Sequence, residues 1–101
     1  MTASLRTLVV AQDDWLKTHR RYGRALRRTG NGGVVVDVDA GITIELLYVT
    51  AKGWTGRATH VALPGRSCVV FVGDVPPSRH PKTRHDGVIP TRERTPACDA
   101  P

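Results

Sequence analysis

Long apolar runs are missing from this chain of 101 residues. No stretch of 18 apolar residues exists, so no segment has the length to cross a bilayer as a helix. The opening, MTASLRTLVV, has neither the basic n-region nor the apolar length of a signal peptide. Aromatic residues amount to 5%, too few for a row of base-stacking platforms, so any contact with nucleic acid is expected to be sequence-blind. Cysteine is nearly absent too. Cys68 and Cys98 stand 30 positions apart, with no CxxC pair and no neighbouring His or Cys to complete a tetrahedral metal site.

A single disulfide is the natural reading of those two cysteines. Closing a loop of that length stabilises a fold by about 3–4 kcal/mol in the chain-entropy model, a large share of what a small domain has to spare. Two free thiols in a reducing cytoplasm are the alternative that spacing alone leaves open. A disulfide implies export, and export agrees with the missing leader if an N-terminal segment precedes this sequence or is encoded separately.

What remains is the composition of one globular domain: 40% hydrophobic and 24% charged residues, with ten glycines and seven prolines that favour loops. A chain of this size buries only about two thirds of its unfolded surface. The net charge of +6 is uneven, because residues 1–28 hold seven basic and two acidic side chains while the remainder is almost balanced.

Helical periodicity opens the chain. Leu5, Leu8, Val9, Trp15, Leu16 and His19 share one arc of a helical wheel, with Gln12 among them, and predict an amphipathic helix over about 3–22. Thr2 or Ser4 is expected to cap it, Gly23 to end it, and Tyr22 to make a last apolar contact. Val10 points away from that stripe. Residues 24–33 read as a polar, glycine-rich loop. Period-two alternation then predicts strands over about 34–39, 42–50, 54–63 and 68–73, with turns at 51–53 and 64–66. Residues 74–101 carry six of the seven prolines and predict irregular coil, held down by a bond from Cys98 to Cys68. The expected class is α+β: an N-terminal amphipathic helix packed on a roughly four-stranded antiparallel sheet, with a disulfide-closed C-terminal loop.

Four short motifs then acquire a common meaning. Leu5-Arg6-Thr7-Leu8-Val9-Val10-Ala11-Gln12-Asp13-Asp14-Trp15 is similar to the D-L-R-N-L-x-x-A-Q-E-A-Y run of bacterial type IV pilins, where the transmembrane helix enters the globular head. Gly53-Trp54-Thr55-Gly56-Arg57-Ala58-Thr59-His60 resembles their G-W-x-A-x-A-T-H strand. Residues 67–73 resemble T-C-x-x-x-V-G, and Pro96-Ala97-Cys98 resembles the closing P-x-C. The chain thus resembles the head domain of a type IV pilin or secretion pseudopilin over residues 5–99. That resemblance implies a structural, non-enzymatic subunit of an extracellular filament reached through the periplasm. Its implied partners are other pilin subunits and a separate hydrophobic N-terminal helix. The sequence departs from the family in lacking the prepilin cleavage site and the apolar helix with its early glutamate. It also keeps only Arg21-Tyr22-Gly23 of the usual N-G-x-Y, and is far more basic around residues 20–28.

Other residues invite chemistry without assembling it. His60 reads as a hydrogen-bonded strand residue. His80, His85 and Asp86 sit in coil, which does not fix metal ligands in space. Ser67 and Ser78 have no histidine and carboxylate at a readable spacing. Gly30 to Gly33 precede a strand without Lys-Ser/Thr, so they form a connection and not a phosphate cradle. No cofactor is expected. The basic set Lys17, Arg20, Arg21, Arg24, Arg27 and Arg28 reads first as a solvated face. Its sharper reading is a subunit contact or a polyanion contact such as DNA, which makes a small basic nucleic-acid-binding module the alternative function.

Overall fold

In a computed structural model, which describes residues 1–27, 33–36 and 38–99, one helix lies across a four-stranded antiparallel sheet. Helix α1 spans Thr2–His19, and its apolar stripe places Leu5 and Leu8 out of water with Val9 almost so. Complete burial of leucines such as these contributes about 1.5–3 kcal/mol each.

Both expected ends of the helix are corrected. Met1 is the N-cap, and no side chain among the described residues caps the first turn. Thr2 lies inside the helix, with its hydroxyl 3.3 Å from Cys98 Sγ. At the other end Arg20 takes a left-handed conformation (φ 60°) and its N–H donates to the Leu16 carbonyl at 2.8 Å. The chain reverses three residues before Gly23 because Tyr22 turns back into the core and Gly23 is held by Gln12.

The expected loop over 24–33 contains a short strand, β1 (Leu26–Arg27), paired in parallel with β2 (Val34–Val35). The expected strand over 34–39 is therefore corrected to two residues in a separate ribbon. Its alternation nevertheless has the predicted effect: Val34 and Val36 are buried with the core cluster and Val38 packs against it.

The main sheet runs β3 (Ile42–Val49), β4 (Gly53–His60), β5 (Ser67–Gly73) and β6 (Ala97–Cys98), in that order across its width. Its fourth member is thus a two-residue strand from the expected coil, aligned with Cys98 opposite Cys68. Strand β4 stops at His60, short of the predicted 63. There the His60 carbonyl accepts from Leu63 N–H (3.0 Å) and His60 Nδ1 accepts from Ala62 N–H (2.9 Å), which starts the turn.

Trp54, Ala58, Cys68, Val70 and Val72 face the helix and are buried. Gly56 permits the close approach: a Cβ there would lie 3.0 Å from the Trp54 ring and 3.1 Å from Leu8. Pleat alternation turns Thr55 and Phe71 to the opposite face. That face is covered by C-terminal coil, with His80 stacked on Phe71 at 4.4 Å and Arg79 over the Tyr48 ring at 5.4 Å. A 3₁₀ turn at Pro77–Arg79 positions both.

Candidate functional site

The C-terminal coil is fastened at two neighbouring points. Cys68 and Cys98 form the disulfide. One residue further on, Asp99 Oδ2 accepts from Ser67 N–H (2.9 Å) and His85 N–H (3.1 Å), and Oδ1 accepts from Asp86 N–H (2.6 Å). Burial pushes the Asp99 carboxyl upward, but the hydroxyl of Thr83 and the amides of Asp86, Ser67 and His85 outweigh it and hold the group well below the usual carboxylate range. Sequence reasoning missed Asp99, because its donors are backbone amides that no residue pattern reveals.

The histidines separate. His80 belongs to the Phe71 stack and contacts the Val75 carbonyl at 3.0 Å. His85 meets Asp86 at 2.8 Å, and the donor atoms of His85, Asp86 and Asp99 lie within 4.8 Å of one another. Since Asp99 already accepts three amides and a hydroxyl, this group is a loop anchor. Ser67 Oγ accepts from Arg84 N–H at 2.9 Å and so serves the same loop. Gly30 to Gly32 lie outside the described residues.

The basic set gathers where the helix ends. Lys17, Arg20, Arg21 and Arg24 are exposed, and none of the four joins an ion pair among the described residues. The Arg27 side chain and Arg28 lie outside the description. The acidic side chains nearby are engaged elsewhere in part: Asp13 holds Arg94 at 2.6 Å, which raises the Arg94 pKa through that hydrogen bond.

Beside this basic end, between α1 and β2, an open groove of about 830 Å³ has Val10, Ala11, Trp15, Val34 and Val35 in its lining, with polar residues such as Asp14 and Thr18 beside them. Val10 is 61% exposed and Val35 49%, so much of this apolar floor faces solvent. The Trp15 ring stacks on His19 at 3.7 Å, and its Nε1 is buried with no hydrogen-bond partner among the described residues. A second hollow shares Trp15 and Gly33 with the groove and is rimmed by Arg21 and Arg24.

No helix in the described residues is long and apolar enough to cross a membrane. Comparison with models of protein families, with curated proteins and with solved structures gave no match for this chain.

Proposed function

We propose that the chain is the globular head of a type IV pilin-like filament subunit, assembled outside the cell and built for structure, not for catalysis. One observation carries this reading: a disulfide joins the last long strand to a proline-rich C-terminal coil beneath a helix that rides on the sheet. That is the arrangement the four sequence motifs imply for a pilin head. The exposed apolar groove around Val10 supplies a surface for a neighbouring subunit or for a separate hydrophobic helix. Heterologous contacts of this kind between identical subunits propagate into fibres. The test is immunogold labelling of material sheared from the producing cells. Thin filaments decorated by antibody to this chain are expected, and a labelled cytoplasmic pool with no decorated filaments overturns the proposal.

A second reading rests on a different observation, the four exposed cations at the end of α1 with no acidic partner among the described residues. Clustered Lys and Arg neutralise phosphates whatever their order, which suits a polyanion such as DNA. Binding then falls steeply with salt and disappears when Arg20, Arg24 and Arg27 are changed to Glu. Equal, negligible DNA binding by both proteins removes this reading and leaves the first untouched.

A further inference from the structure

Among the described residues the sheet has one long open edge. Strand β3 pairs with β4 on one side, and among the described residues no strand lies on its other side. Because Val61 N–H bonds the Gly41 carbonyl, alternation makes Thr43–Thr59 and Glu45–Arg57 the bonded pairs of the β3–β4 ladder. The backbone groups of Ile44 and Leu46 then point outward. Ile42 N–H is already used by the Asp39 carbonyl at 3.2 Å. Proteins protect such edges with Lys, Pro, short strands or bulges. Between Ile42 and Leu46 this edge has none of them, and its one charge, Glu45, is held by Arg57 at 3.2 Å. The irregularity between Leu46 and Tyr48 comes only after that regular stretch.

We infer that residues 42–46 form a self-pairing edge, on which a second copy of this chain adds antiparallel about a two-fold axis at Ile44. The occupant follows from the strand itself. Outward backbone groups demand an extended partner, and the regular stretch has its midpoint at Ile44. Centring there sets Ile42 opposite Leu46 and Thr43 opposite Glu45, so a hydroxyl meets the carboxylate. Sliding the centre to Glu45 sets two carboxylates opposite each other, which is unfavourable. Ile44 and Leu46 already pack against the core, and pairing continues that apolar face into the second copy. Such a contact is isologous and closes on two copies. It therefore stands independently of the filament reading.

A joint of five residues covers less than the roughly 1,200 Å² of a standard interface, so the dimer is weak and appears as concentration rises. Sedimentation velocity of the oxidised chain from micromolar to millimolar concentration reads it directly. Thr43 is exposed, so substitutions there leave the core intact. Thr43→Glu faces Glu45 of the second copy and is expected to weaken dimerisation about tenfold, whereas Thr43→Lys is expected to strengthen it. Hydrogen exchange on the unaltered chain adds an independent reading: the Ile44 and Leu46 amides are protected more at high concentration. A monomer throughout the range, with exchange at those amides independent of concentration, overturns the inference. So does a dimer indifferent to the sign of charge at position 43.

Discussion

Gln12 is fully buried in an apolar stripe because Gly23 uses both ends of its amide. Gly23 N–H donates to Oε1 at 2.8 Å and Nε2 donates to the Gly23 carbonyl at 2.9 Å. The clamp fixes the reversal after α1 and delivers Tyr22 edge-on to Trp54. Gln12→Leu preserves the size and leaves two polar backbone groups unpaired, so urea denaturation is expected to show a loss of about 2–4 kcal/mol. Asp99 acts in the same manner on the C-terminal loop, with a pH signature. Its carboxyl is held below its unfolded value, near 3.9. The stabilisation is therefore complete above that value and is lost as pH falls through it toward the lower folded one. Melting temperature should drop between neutral pH and pH 2, and Asp99→Asn should flatten that drop while lowering the plateau. Of these two residues, Gln12 was legible as a polar interruption in a leucine stripe. Asp99 was not, since nothing in a sequence marks where three amides will converge.

Among the elements, α1 and β3 were readable because each turns one apolar face inward, which imposes a period of 3.6 or 2 on the residues. Strands β4 and β5, buried on both faces over much of their length, were readable from alternation and from an unbroken apolar run. The ends were less readable. The helix stops at Arg20, a position for which intrinsic preference favours glycine, because tertiary contacts of Tyr22 and Gly23 dictate the turn. Strand β6 carries no pattern at all, being two residues aligned by the disulfide. Removing that bond by Cys68→Ala with Cys98→Ala should cost about 3–4 kcal/mol in the loop-entropy model for a separation of 30 residues. It should also release the amides of residues 97–99 to fast hydrogen exchange while β3 and β4 stay protected. Leu8→Ala tests the helix–sheet contact instead, with an expected loss of about 2–5 kcal/mol over the whole domain.

For the whole molecule, the two sides of α1 divide the labour. One side closes the core, and the other turns Val10 outward into the groove shared with Val35 of β2, beside a basic end. Under the proposed filament function, that division separates stability from assembly. Val10→Asp, at a largely exposed position, should change stability by no more than about 0.5 kcal/mol and yet suppress filament formation in the producing cells. The basic end was evident from charge counting, but the groove was not, because Val34 and Val35 in its lining come from β2, which the sequence pattern assigns to the main sheet. The proposal of an exported subunit depends most on the state of two sulfurs in the cell. Cells are quenched with an alkylating reagent and the intact chain is weighed. The account predicts a mass two hydrogens short of the reduced chain with no alkyl group added, and a chain carrying two alkylated cysteines would contradict it.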